Sequence, residues 1–462
     1  MKLIEILSLI LFIIWAIFYL YQIIYFMVGI GAEIRTRFIT SKQPAPPLPE
    51  GIGKRRYAFT IAARNEEDVI TQLIESLQQQ TYPSELFDIF VIADNCDDNT
   101  ADVARAAGAY VYERTNPEKR KKGYALSELF DHIKKDFGGY RAYDGYIIFD
   151  ADNIADKNYL KEIDKEFCKG RRVITGYRNS KNFGTNWITS GYSIGFIREA
   201  QYLNRPRMIL NASAAAPGTG YLISSEILEE KNGWHYHSLS EDYEFTSDLI
   251  TEGEKIGYTC DAVYYDEQPE TFKQSWTQRI RWTRGFFQVL FKYGKGLLKN
   301  MFKDKSMFLA RYDILMFLAP SLILNLVTAA LSIFTVVLYI VDAQTANSMT
   351  SDVIMSFVGG LVGFYVTNLF QGAVTVFTEW NKIRATKGRK IAAIFTYPLF
   401  MFTYIPISFV ALLVRPQWNT IKHHTVESIE DFNKDNVQTV RDFTRVNITP
   451  PKDMIYSGEE VE

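Results

Sequence analysis

From Ile6 to Ile30 the chain is apolar and uncharged. At ~1.5 Å rise per residue, a helix of that length exceeds the ~30 Å hydrocarbon thickness of a bilayer. Three further apolar stretches, Ile314 to Val341, Val353 to Thr378 and Ile391 to Val414, follow a long mixed region. Charged residues make up 23% of the whole chain, so they concentrate between these stretches. The pattern predicts a soluble domain bracketed by membrane helices, and 462 residues exceed what one ordinary core uses.

A cleaved signal peptide has a shorter apolar region and a small-residue cleavage site, so the first stretch reads as a spanning helix. Arg35, Arg37, Lys42, Lys54, Arg55 and Arg56 follow it, which places them in the cytosol and the amino terminus outside. Asp342 to Asp352 carries no Lys or Arg, whereas Asn381 to Lys390 carries Lys382, Arg384, Lys387, Arg389 and Lys390. The first of these loops is expected outside and the second inside. Pro398 and Pro406 leave the last stretch open to a kinked span or a re-entrant hairpin, and with it the side of the tail.

The formal net charge of −2 provides no basic field for nucleic acid, and no segment resembles a groove-reading helix. Cys96, Cys168 and Cys260 are odd in number and far apart, which supports neither a disulfide framework nor a thiolate zinc site.

Within the soluble region, Ser41 to Gly53 is a proline-rich linker. Strand patterns at Tyr57 to Ala63, Phe87 to Ala93, Ala109 to Glu113 and Gly145 to Phe149 alternate with helical patterns at Glu66 to Gln80, Thr100 to Ala107 and Tyr124 to Lys135. Such alternation predicts an α/β domain with a mostly parallel sheet and helices on both faces. Ligands of such sheets bind at the carboxyl ends of the strands, where Asp94 and Asp150 fall.

Asp150 and Asp152 flank a small alanine after a buried strand, so both carboxylates can reach a hard divalent cation that bridges phosphate oxygens. Ala62-Ala63-Arg64-Asn65-Glu66 ends the first strand before a helix, where amides can hold a nucleotide or Asn65 can simply cap the helix. Lys122, beside Gly123, is a candidate for diphosphate charge. Asp242, with Glu241, opens a helix at Tyr243 to Thr251. It is either a general base toward an acceptor hydroxyl or part of an acidic helix start. His235 and His237 lack further ligands nearby and read as loop residues.

Asp150 and Asp152, Ser240-Glu241-Asp242, and Gln278, Arg281 and Trp282 of Gln278-Arg279-Ile280-Arg281-Trp282 together resemble the processive membrane glycosyltransferases of family 2. That group contains the cellulose, hyaluronan, chitin-oligosaccharide and poly-N-acetylglucosamine synthases. The resemblance implies a GT-A fold, a UDP-sugar donor, Mg²⁺ or Mn²⁺ held by Asp150 and Asp152, and inverting transfer with Asp242 as base beside Glu241. It implies donor contacts from Ala62, Arg64, Glu66, Asp94, Asp150, Gln278 and Arg281, to which Lys122 is added by its charge. Acceptor contacts are implied for Trp282 and for Gly218, Thr219 and Gly220. Trp282 is otherwise an interfacial anchor.

The layout that follows is a membrane helix over residues 1–40, a cytosolic GT-A domain over 41–268, amphipathic interface helices over 269–312, membrane helices over 313–414 and a tail over 415–462. The tail is too short for an added cyclic-dinucleotide domain, and Arg415-Pro416-Gln417-Trp418 with His423 and His424 resembles a bilayer-proximal segment of relatives. Ser240 stands where the family usually has Thr, and the first membrane segment is single where several relatives carry two. The expected partners are a UDP-sugar, UDP-glucose before UDP-N-acetylglucosamine, a growing polysaccharide and the lipid bilayer. The competing readings are a single-addition transferase acting on a lipid phosphate and a transporter or inactive scaffold.

Overall fold

The computed structural model describes residues 2–39, 47–318, 330, 334, 337, 343–414 and 416. Most of the Ile314 to Val341 stretch and of the tail lies outside the described residues.

The chain opens on α1 (Lys2–Phe38) and continues into an eight-stranded sheet. Its strands are β1 (Tyr57–Ala63), β2 (Phe87–Asp94), β3 (Tyr110–Arg114), β4 (Gly145–Asp150), β5 (Ile154–Ala155), β6 (Val173–Ser180), β7 (Tyr221–Ser224) and β8 (Gly257–Asp266). Their order across the sheet is β3-β2-β1-β4-β7-β6-β8-β5. The four strands from β3 to β4 are mutually parallel and β6 runs parallel to β8, whereas β7 and β5 pair antiparallel with their neighbours.

The parallel half is buried on both faces because successive side chains point to opposite sides. Ala58, Phe90, Ile92 and Ile148 pack with Leu126, Leu129 and Phe130 of α4 (Lys122–Asp136). The alternate residues Phe59, Ile61, Val91 and Phe149 pack with Ile70, Leu73, Ile74 and Leu77 of α2 (Ile70–Gln78). Further helices are α3 (Thr100–Ala106), α5 (Tyr159–Cys168), α6 (Trp187–Glu199), α7 (Arg205–Ile209), α8 (Ser225–Glu230), α9 (Glu241–Glu252), α10 (Phe272–Asn300) and α11 (Phe308–Leu318). A π-helical turn, Ala200–Asn204, joins α6 to α7.

The helix expected from Glu66 begins only at Ile70. Asn65 adopts a left-handed φ of 56°, and the Glu66 N–H donates to Thr100 Oγ1 at 2.9 Å, so the first expected turn of helix is a bent loop. Ala62 to Glu66 is therefore no helix N-terminus. Asn65 is no cap either, because its Oδ1 accepts from the Asp97 N–H at 2.8 Å.

After α11, α12 (Ala343–Thr378), α13 (Lys387–Phe402) and α14 (Tyr404–Leu413) complete the described chain. Two segments, Val358–Thr378 and Lys387–Leu413, are long and apolar enough to cross a membrane. Most of the segment expected as an outside loop, Asp342 to Asp352, lies within α12. Thr403, with φ −67° and ψ −17°, joins α13 to α14, so Ile391 to Val414 is a kinked helix at this point and not a hairpin. The end of α12 is tied to β6 and the π-helical turn: Tyr177 Oη and Gln201 Nε2 donate to the two oxygens of Glu379 at 2.7 and 2.8 Å. Asp313 of α11 is buried and accepts from Arg207 Nε and Nη2 at 2.7 and 2.9 Å.

Candidate active site

The strand ends carry the acids that the sequence pointed to. Asp94 closes β2 and is 3% exposed. It forms an ion pair with Arg114, the last residue of neighbouring β3, and accepts from Asn95 Nδ2 at 2.6 Å. Burial pushes the Asp94 carboxyl up, against the pull of Arg114. Arg64 lies within electrostatic reach of Asp94. Ala62 pairs with both Ile92 and Asp150 across the strand ends, which brings the first loop and both acids to one edge.

Asp150 closes β4 and its side chain is 37% exposed. Lys122 forms an ion pair with it and donates to Gly218 O at 2.7 Å. Burial alone would lower the Lys122 pKa, but Asp150, Glu241 and Asp242 together raise it. Lys122 is placed by its neighbour: a Cβ on Gly123 would lie 2.0 Å from Tyr236 O, so α4 can approach the loop before α9 only with glycine there.

The Gly218-Thr219-Gly220 loop binds these parts together. Thr219 Oγ1 accepts from the Asp150 N–H at 2.9 Å and donates to Asn153 Oδ1. A Cβ on Gly218 would lie 3.2 Å from Asp242 Oδ2, and one on Gly220 would enter the Tyr264 ring. Both glycines have positive φ, 84° and 62°. The loop therefore joins the Asp150 strand end to the Asp242 carboxylate.

Glu241 and Asp242 begin α9. Burial, then the neighbouring Glu241 charge, pushes Asp242 up to about 7. Glu241 is also raised by burial, against Lys122. From the other side comes α10, whose Arg281 lies in the field of Glu241, Asp150 and Asp242, yet is lowered because burial outweighs them. Gln278 stands one turn earlier with a buried Oε1. Trp282 meets Tyr192 and Phe196 of α6 edge-on, with ring centroids at 5.9 and 6.4 Å. His235 Nε2 donates to Asn232 O at 3.0 Å, and the ring of His237 lies 4.1 Å from that of Tyr124, in keeping with loop residues.

Asp150 and Asp152 supply the carboxylate oxygens that a hard divalent cation takes. Asp152 is buried and accepts from Asn153 Nδ2 at 3.2 Å. Among the described residues no group of three or more His, Cys, Asp or Glu is placed to hold a metal ion. Asp150 and Asp152 alone would leave such a cation to complete its shell with other oxygens, such as those of a phosphate.

Sequence reasoning missed Arg114, Arg178 and Asp266. Arg178 forms a buried ion pair with Asp266, donates to Pro217 O at 3.2 Å and stacks 3.7 Å from the Phe196 centroid. Asp266 also accepts from Asn153 Nδ2 at 3.0 Å. Arg114 and Asp266 each close a strand, so the rule that selects Asp94 and Asp150 also finds them.

The family model described as glycosyltransferase like family 2 matches residues 55–285, half of the chain. The chain belongs to this family. Among its relatives, a probable glycosyltransferase, YdaM, of Bacillus subtilis is 28% identical over 54% of this chain and 59% of its own length. A β-monoglucosyldiacylglycerol synthase of Synechocystis is 24% identical over 60% of this chain and 59% of its own. A poly-β-1,6-N-acetyl-D-glucosamine synthase of Staphylococcus epidermidis is 24% identical over 51% of this chain and 55% of its own. The match to this family 2 glycosyltransferase thus spans roughly three fifths of these relatives. The mannosyltransferase PcManGT of Pyrobaculum calidifontis, solved with GDP-Man and Mn²⁺, superposes with a TM-score of 0.50. That match covers 86% of this chain and 99% of the other at 15% identity, and shows a shared GT-A-type fold.

Proposed function

We propose that this glycosyltransferase transfers a hexose from a UDP-sugar with inversion and extends a β-linked polysaccharide, which it passes across a membrane. UDP-glucose is the first donor to test and UDP-N-acetylglucosamine the second. The observation that carries the reading is that Asp242 lies against Gly218 while Lys122 and Arg281 are each within electrostatic reach of both Asp242 and Asp150. This supports a reading in which Asp242 is the general base, the Gly218 loop meets the acceptor and the two cations take the diphosphate.

In this reading an acceptor hydroxyl attacks the anomeric carbon and gives its proton to an Asp242 oxygen. The bond from that carbon to the UDP oxygen breaks, and the electron pair leaves on the diphosphate. Asp242 is suited to the task, because a base whose pKa lies near the working pH is the most effective. Lys122, Gln278 and Arg281 hold the diphosphate, while Arg64, Glu66, Asp94 and the Ala62 turn serve the nucleoside. Asp150 and Asp152 would hold Mg²⁺ or Mn²⁺, which supplies positive charge to the leaving phosphate oxygens. Trp282 would stack under the acceptor sugar, and Gly218, Thr219 and Gly220 would border its terminus.

The membrane part of the reading rests on α1 and the two apolar helices, with residues 41–268 cytosolic, 269–312 at the interface and the amino terminus outside. A second reading, addition of one sugar to a lipid, is favoured by the similarity to a β-monoglucosyldiacylglycerol synthase.

The test is full-length protein reconstituted in lipid and given each UDP-sugar separately, with and without diacylglycerol. Long product from UDP-sugar alone, lost in Trp282→Ala, is expected. Product limited to one sugar on the lipid, with Trp282→Ala as active as wild type, would replace the first reading with the second.

A further inference from the structure

Arg279 stands between Gln278 and Arg281, and none of the roles above uses it. Its side chain is 0% exposed, and among the described residues no carboxylate forms an ion pair with it. A guanidinium so placed is costly to desolvate unless something else compensates.

The compensation comes from the kink of the last apolar helix. Arg279 Nη1 donates to Thr403 Oγ1 at 2.5 Å, and Thr403 is the residue that joins α13 to α14. The guanidinium carbon lies 4.4 Å from the Phe400 centroid and 4.8 Å from that of Tyr404, so the rings on both sides of the kink flank it. Tyr192 of α6 adds a third face at 5.7 Å. Desolvated cation–π contacts of this kind are among the stronger ones.

The backbone of Arg279 belongs to the turn of α10 that presents Gln278, Arg281 and Trp282. Tyr192 touches both ends of this arrangement, with Phe400 at 4.9 Å and Trp282 at 5.9 Å. Movement of the kink therefore cannot leave that turn undisturbed.

We infer that Arg279 is a positioning residue through which the kinked helix formed by α13 and α14 holds the Gln278-to-Trp282 turn. It rests on the UDP-sugar reading for its consequence, which is that retention of the diphosphate depends on the C-terminal helices.

The test uses full-length protein in lipid nanodiscs with Arg279→Met, Arg279→Lys and Thr403→Val, the last removing an acceptor at nearly constant volume. UDP affinity is measured calorimetrically alongside Tm, kcat and KM. Arg279→Met should weaken UDP about tenfold at temperatures well below its Tm, because a buried cation–π contact and a hydrogen bond are lost together. Arg279→Lys should restore part of the affinity and Thr403→Val should lose about threefold, as one hydrogen bond warrants.

A nucleotide-independent reading comes from nitroxides at the exposed positions Phe291 and Leu413, in protein lacking Cys96, Cys168 and Cys260. Their distance distribution should broaden in Arg279→Met. Wild type that binds no UDP would remove the donor reading and leave the spin-label result to decide the positioning role. If Arg279→Met only lowered Tm, with UDP affinity within twofold of wild type or label distances unchanged, the positioning role would be refuted.

Discussion

Gly285 of α10 lies against Ser240, so closely that a Cβ at position 285 would sit 2.2 Å from Ser240 Oγ and 2.8 Å from its backbone nitrogen. Such distances force one element to move. The Ser240-Glu241-Asp242 turn and the helix carrying Arg281 approach this closely because residue 285 has no side chain, and Ser240 Oγ also donates to Trp282 O at 3.4 Å.

Gly285→Ala is expected to push α10 away from Asp242 and to lower kcat/KM by roughly 10–100-fold, the cost of about an ångström of misplacement. Alanine by itself favours a helix over glycine by ~1 kcal/mol. A variant with a raised Tm and normal transfer would therefore show that the helix relaxes without disturbing the site.

The raised Asp242 pKa gives two signs to check. As a base it acts deprotonated, so kcat/KM should rise with pH through about 7, and the rising limb belongs to the Asp242–Glu241 pair. In the unfolded chain an aspartate titrates near ~3.9. The folded state holds the proton longer, so this group contributes stability fully at pH below ~3.9, and the contribution is lost as pH rises through about 7. Asp242→Asn should keep UDP-sugar binding, lose transfer by ~10²–10⁴-fold and flatten the fall of stability between those pH values. Transfer within a few-fold of wild type would move the base elsewhere, with Glu241 next to test.

The strand ends were legible because aliphatic runs stop at Asp94 and Asp150, and strands in such sheets present their carboxyl ends to ligands. Gln278, Arg281 and Trp282 were legible only through their resemblance to a family motif. Arg178 was not, since its partners are far away in sequence: Asp266 lies 88 positions on and Pro217 39 positions on. Periodicity carries no signal for such pairs. The late start of α2 has a similar cause, because apolar spacing continues back to Glu66 while Thr100, 34 residues later, captures its N–H. Asp342 to Asp352 read as a loop because it separates two apolar stretches, yet helix α12 begins at Ala343, within it.

Asp152→Asn removes one of the two carboxylates proposed to hold a divalent cation while leaving an acceptor for Asn153. Mn²⁺ affinity in the presence of UDP, followed by electron paramagnetic resonance, should fall together with transfer, at unchanged Tm. Near-normal transfer by the variant, or by wild type with chelator present, would rule out a metal role for this pair.

Asp266→Asn probes the support beneath the Gly218-Thr219-Gly220 loop, proposed to meet the acceptor. The Arg178 guanidinium holds the Asp266 carboxyl below its ordinary value, although burial pulls the other way. Stability from this pair is therefore present above the unfolded aspartate pKa of ~3.9 and is lost as pH falls through the lower folded value. Removing the charge leaves Arg178 buried without its counter-ion, which typically costs about 3–5 kcal/mol. It also frees Arg178 from the position in which it donates to Pro217 O and stacks on Phe196, the ring beside Trp282. Acceptor use should suffer more than donor binding, so the expected outcome is a lower Tm, a shorter product and UDP affinity close to wild type. A variant with reduced UDP affinity and unchanged product length would instead assign the Arg178–Asp266 pair to the donor side.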